Sequence, residues 1–352
     1  MPRRSFAFVV CLAVPSGTFA QQPTHRIEFT DHQSITASIG YELRSREFAV
    51  TRWIVALAEP PELPSQTKLK VTSEPASKVI AEKSPMARKL RMFDVPLANP
   101  TVGAKLAVRQ DIQAVLRSRK LVALAPDEKP PAVPALTAAE RKSYLAASRH
   151  VDFDKHEFKN WLDAKKLHRA KGESPIDYAG RVLEFIRSDY GYRFDPMEEK
   201  RASVSCLRAA TDCGGMSLIF VGAMRAHDIP ARVLVGRFAQ PRKPGTTSAD
   251  TDYDQPHVRA EFFVNGVGWV PVDPAFANRN RDRPLAEFLG HDTGELLVLH
   301  VDLDLRIPIL EKEQTADLLQ VEPYVWALGS GKLDVALTGS KWELKAKALG
   351  EK

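Results

Sequence analysis

Three residues of the chain have types that could together perform nucleophilic chemistry: Cys213, His257 and Asp273. A cysteine attacks as thiolate, an imidazole titrates near neutrality and can hold the displaced proton, and a carboxylate can orient and stabilise the imidazolium that results. Such a set can break an amide through a thioester, and it needs no cofactor and no metal. Taken singly, each residue has a plainer reading. A buried cysteine packs as a small hydrophobe, a histidine at a strand end faces solvent, and an aspartate before proline forms a turn. The chemical reading depends on the elements that place the three side chains.

Cys213-Gly214-Gly215 opens a run to Met224 that is apolar nearly all round, the pattern of a helix buried inside a domain. Thr211 or Asp212 can cap it, and it stops before Ile229-Pro230, ahead of a strand-like segment at 231–238. Cys213 then lies on the first turn, where the positive end of the helix dipole favours thiolate over thiol. The paired glycines read as room for a substrate backbone. His257 opens a second strand-like run, Asn265-Gly266 marks a turn, and Trp269 to Asp273 returns as the other arm of a hairpin. Register decides whether His257 and Asp273 meet. A two-residue turn pairs Val264 with Val267 and puts Asp273 on the face away from His257. A three-residue loop, or a bulge helped by Gly268, pairs Val264 with Gly268 and sets Asp273 opposite Arg259, a same-face diagonal neighbour of His257.

These motifs, in this order, resemble the transglutaminase-like superfamily of papain-related thiol enzymes: Cys213, then Ile229-Pro230-Ala231-Arg232-Val233 leading to Gly236, then His257, then Gly268-Trp269-Val270-Pro271-Val272-Asp273-Pro274. The resemblance runs from about residue 178 to residue 276. It implies an α+β, papain-like core in which the cysteine helix packs on an antiparallel sheet. It further implies that Cys213 is the nucleophile, His257 the base and later the acid, and Asp273 the orienting carboxylate, with the Cys213 backbone N–H facing the oxyanion. For a second oxyanion donor, Tyr192 and Ser205 are the candidates. Where many relatives have His-Ala-Trp, this chain has His257-Val258-Arg259, a departure that reads as leaving the catalytic residues untouched and bearing on substrate preference. The expected function is an exported thiol amidohydrolase or peptidase acting on protein or peptide amides, with transamidation as a variant. The rival is a non-catalytic module of the same fold that binds peptide or envelope polymer.

The rest of the chain reads as scaffold. Short strands broken by Pro-containing loops, at 35–43, 48–57, 67–72 and 105–115, predict a β-sandwich-like N-terminal domain over 21–124. The Pro-rich stretch 125–135 predicts a semi-rigid linker, and 136–295 the core domain. Apolar stripes at Phe158, Trp161, Leu162 and Leu167, and at Ile176, Ala179, Val182, Leu183 and Ile186, predict two helices, the second capped by Ser174 with Pro175 and Asp177 in its first turn. The tail from 296 to 352 reads as a strand-rich extension.

The 352 residues carry 44% apolar and 27% charged side chains, which excludes disordered, collagen-like and coiled-coil classes. Arg3 and Arg4, the apolar stretch 6–14 and Thr18-Phe19-Ala20 predict a signal peptide cleaved near Ala20, hence a periplasmic or secreted protein without stable membrane insertion. Cleavage would lower the net charge from +6 to +4, the excess residing in the N-terminal half. That half could contact an anionic envelope polymer, but no Lys/Arg run is long enough for a nucleic-acid footprint. Of three cysteines, Cys11 lies in the leader. Cys206 is expected to pack, although in an oxidising compartment it could pair with Cys213. Cys206, Cys213 and His257 lack the spacing of a zinc site, and Asp250, Asp252 and Asp254 read as a solvated acidic lip.

Overall fold

The computed structural model describes residues 24–240 and 256–349. The expected leader with its Ala20 site and Cys11, and Asp250, Asp252 and Asp254, read as an acidic lip, lie outside the described residues. No helix among the described residues is long and apolar enough to cross a membrane.

The N-terminal part is all β: β1 (His25–Ser45), β2 (Ala49–Ala58), β3 (Gln66–Glu74), β4 (Lys78–Ala81), β5 (Lys89–Thr101) and β6 (Lys105–Ala123). Period-2 burial along β1, with Ile35, Ala37, Ile39, Tyr41 and Leu43 all inward, shows why it forms a strand with one dry face. The strands β4 and β5 were not legible from the sequence, because β4 has only four residues and Pro96 and Pro100 interrupt the alternation of β5.

The core follows: α1 (Ala138–Leu145), α2 (His156–Ala164), α3 (Pro175–Asp189), β7 (Gly191–Tyr192), α4 (Ala202–Ser205), β8 (Ala210–Thr211), α5 (Cys213–Ala226), β9 (Ala231–Phe238), β10 (Pro256–Val264), β11 (Gly268–Val272) and α6 (Pro274–Arg279). α3 begins as its sequence dictates: Ser174 accepts from the Asp177 N–H, with Pro175 in the first turn. α5 is enclosed almost entirely, every residue from Gly215 to Arg225 being buried, as its all-round apolarity requires.

The tail adds β12 (His291–Asp292), β13 (Leu296–Val301), β14 (Leu305–Ile309), β15 (Lys312–Ala316), β16 (Tyr324–Ser330) and β17 (Val335–Ala348). It is distributed over both halves of the molecule. β13 closes the core sheet, whose order is β11-β10-β9-β13. β16 and β17 return to the sandwich, joining the sheets β16-β2-β5-β4 and β12-β6-β1-β17. Buried polar clasps join the halves. Gln33 donates to the Ala239 carbonyl at 2.9 Å, and Gln66 both donates to the Val298 carbonyl and accepts its N–H, at 3.0 and 2.8 Å. Arg88 donates to the carbonyls of Val301, Asp302, Leu303 and Asp304.

Candidate active site

α5 starts at Cys213 because Asp212 caps it, its Oδ1 accepting the Gly215 N–H at 3.0 Å. Gly215 has a local cause. A Cβ there would meet Thr211 Oγ1 at 2.0 Å, so the helix can begin against β8 only with glycine. The sequence reading gave the glycine pair to substrate approach; for Gly215, contact with Thr211 decides. Cys213 is half-buried and its thiol is free, as is that of the buried Cys206, so the two are not joined. Cys206 hydrogen-bonds the Ser203 carbonyl, and burial pushes its thiol up to about 12, which leaves it inert at neutral pH.

The hairpin takes the three-residue loop. Val264 pairs with Gly268, Phe263 with Trp269 and Ala260 with Val272, with Gly266 and Gly268 at φ of 75° and 99°. Continuing that register carries Asp273 towards Arg259 and His257. The His257 Nε2 and Asp273 Oδ2 lie 2.8 Å apart, both residues buried. The Cys213 thiol lies close enough to the imidazole to favour its charged form. Asp273 also caps α6, its Oδ1 accepting the Phe276 N–H at 3.0 Å, so the helix start and the hairpin end fix one carboxylate.

The ring of His257 stacks on Phe238 at 4.8 Å between centroids and leans on Phe276 at 4.9 Å. Gln320 donates to the carbonyls of His257 and Gly236, at 2.9 and 2.6 Å, and so ties β10 to β9 beside the site. Gly236 is required because a Cβ there would lie 2.3 Å from the Leu297 carbonyl oxygen of β13. Burial by itself disfavours the charged imidazole, yet the Asp273 charge and hydrogen bond, joined by the influence of Cys213, raise His257 to about 9. Asp273 is held below the usual carboxylate range: burial opposes this, and His257 and Arg259 override it.

The sign of the pH dependence follows. With His257 raised from 6.5, its ion pair contributes full stability below about pH 6.5, a contribution lost as pH rises through about 9. The unfolding free energy, read from chemical denaturation at each pH, should fall by about 3 kcal/mol between about pH 6 and about pH 10. In His257→Gln that fall should be much reduced. An equal fall in both proteins would refute the assignment.

The departure at His257-Val258-Arg259 keeps Cys213, His257 and Asp273 and adds a contact that the sequence did not show. Arg259 touches the site directly, its Nε donating to Asp273 Oδ2 at 2.8 Å. Of the two proposed oxyanion donors, Ser205 is buried on α4 and its Oγ has no hydrogen-bond partner. Tyr192 pairs across β7 and β8 with Thr211, which lies two residues before Cys213, and is partly exposed. Phe238, Phe276, Gln320 and Asp292 were not found in the sequence. None belongs to a motif, and only the departure at Arg259 was a visible signal.

The transglutaminase-like superfamily model matches residues 164–274. No curated protein matches the sequence. The crystal structure of a candidate cysteine protease from Cytophaga hutchinsonii is similar, with a TM-score of 0.57 and 12% identity over 93% of this chain and 94% of that one. The periplasmic domain of TgpA from Pseudomonas aeruginosa gives a TM-score of 0.37 at 13% identity, over 73% of this chain and 93% of that one. The segment matched by the transglutaminase-like superfamily model, residues 164–274, is the one that holds Cys213, His257 and Asp273.

Proposed function

We propose that the chain is a thiol amidohydrolase or peptidase acting on protein or peptide amides. The observation that carries this reading is the buried His257–Asp273 pair at 2.8 Å, with Cys213, at a helix N-terminus, near enough to favour the charged imidazole. In this reading the Cys213 thiolate attacks the amide carbonyl carbon, and the oxyanion forms near the Cys213 backbone N–H, one of the groups a helix start leaves without an intrahelical partner. The imidazolium of His257 gives its proton to the leaving nitrogen, the C–N bond breaks and a thioester remains. Water then attacks the thioester, His257 takes its proton, and the acid leaves with regeneration of the thiolate. Asp273 keeps the ring oriented and favours its charged form. An acceptor amine in place of water would give transamidation.

Hydrolysis is the preferred outcome. With a glutamine-containing peptide and no added amine, ammonia or new amino termini should accumulate. A fluorescent primary amine should enter the peptide more slowly than hydrolysis proceeds. Incorporation faster than hydrolysis would reverse the order and make cross-linking the principal activity. Export is part of the same proposal and is tested by the mass of the mature protein, which should start at Gln21.

A further inference from the structure

We propose that Arg259 is a positioning residue for the Asp273–His257 pair, and that the β-sandwich holds it in place through Asp292 and Arg119. The proposal rests on the thiol-enzyme reading of Cys213, His257 and Asp273. The observation is an unbroken line of buried, alternating charges. His257 Nε2 and Arg259 Nε share one oxygen, Asp273 Oδ2, each at 2.8 Å. Arg259 Nη1 then reaches Asp292 Oδ1 at 2.7 Å. The other Asp292 oxygen accepts from Arg119 Nη2 at 2.7 Å and Nε at 3.2 Å. Arg119 also pairs with Glu261, whose second oxygen accepts from Arg232 Nε at 2.8 Å. All six partners of His257 in this line are buried.

Arg119 belongs to β6 of the sandwich, and Asp292 lies opposite it in the β12–β6 ladder. The line therefore crosses from the core into the N-terminal half. Burying this many charges is costly unless each is paired and hydrogen-bonded, and losing one partner leaves the next uncompensated. An arginine at 259 is consequently held by two carboxylates from different elements, which fixes where its Nε meets Asp273. The guanidinium has two effects on the pair. It anchors the oxygen that orients the imidazole, and it moderates that oxygen's pull on the proton, because it competes for the same lone pairs and repels the imidazolium.

Among the described residues, few charged or titratable groups face this site. His257 meets Cys213 from α5, Asp273 from the β11–α6 junction, and Phe238 and Phe276 on its ring faces. Arg259 meets Asp273 and Asp292, with the charge of Glu295 farther off. On β9, Arg237 lies over the Trp342 ring.

The test uses the full chain and needs no substrate. Iodoacetamide modification of Cys213, located by peptide mass, is followed against pH, and its upper inflection reports His257 losing its proton. In the charge-balanced variant Arg259→Gln/Asp292→Asn the inflection should move up by about half a pH unit or more. In Asp292→Asn alone it should move down, since Arg259 is then left wholly to Asp273. A residue that only supports packing would lower the melting temperature in both variants and leave both inflections in place, which would overturn the proposal. If the wild-type profile has no inflection, or His257→Ala leaves it unchanged, the thiol-enzyme reading falls and this proposal with it. If the wild-type inflection depends on His257 but neither variant moves it, only the role of Arg259 is refuted.

Discussion

In a Cys213→Ala variant, amide turnover is expected to fall to the uncatalysed background, a loss of at least about 1000-fold, with the fold retained. The size follows from chemistry. Without sulfur no thioester can form, and His257 and Asp273 have no reacting atom to serve. The retained fold follows from position. Cys213 is half-buried at the first turn of α5, alanine is a good helix former, and the cap is the side chain of Asp212, which the substitution does not touch. A stability change below about 1 kcal/mol is expected, read from chemical denaturation beside wild type. Full turnover in a folded alanine variant would remove Cys213 from the mechanism.

Asp273→Asn is the second large effect, with turnover expected to fall by roughly 100-fold to 10000-fold. The carboxylate serves three donors at once: His257 and Arg259 at Oδ2, and the Phe276 N–H at Oδ1. An amide has one accepting oxygen and a donating NH2 group. Turned to serve His257 and Arg259, it presents that NH2 group to the Phe276 N–H. Turned the other way, it caps α6 and presents donors to two donors. Stability should therefore fall by about 3 kcal/mol, the scale of unpairing a buried charge, and activity is to be measured where the variant is still folded. The alkaline limb of the surviving activity should also move down, because the charge that raises His257 to about 9 is gone. A folded Asn variant with an unchanged limb would show that Asp273 does not govern the imidazole.

Much of the core was legible from residue types. The start of α3 at Ser174-Pro175, the apolar helix behind Cys213 and the strand 231–238 all follow from local rules of capping, all-round apolarity and proline placement, and these act within a few residues. The hairpin was legible as two alternatives separated by one residue. Local sequence permits both loops, and the structure takes the three-residue one, with positive φ at Gly266 and Gly268. The strand β5 escaped because Pro96 and Pro100 broke its alternation, and β4 because four residues are too few to show a period. The route of the tail escaped because edge pairing depends on which surfaces are left open once the sandwich and core have formed, and that is a property of the assembled sheets.

By itself the sequence determined which residues could do chemistry and on which kind of element each would stand, because thiol, imidazole and carboxylate chemistry and helix-start signals are local properties of Cys213, His257, Asp273 and Asp212. It also carried the departure at Arg259, as a residue without a role. Only the tertiary structure decided that role. Arg259 meets Asp273 fourteen residues away, Asp292 thirty-three residues away and, through Asp292, Arg119 on a strand of the other half. Coulomb interactions in a buried site depend on distance in space and on the exclusion of water, and neither quantity is written in the order of residues along the chain.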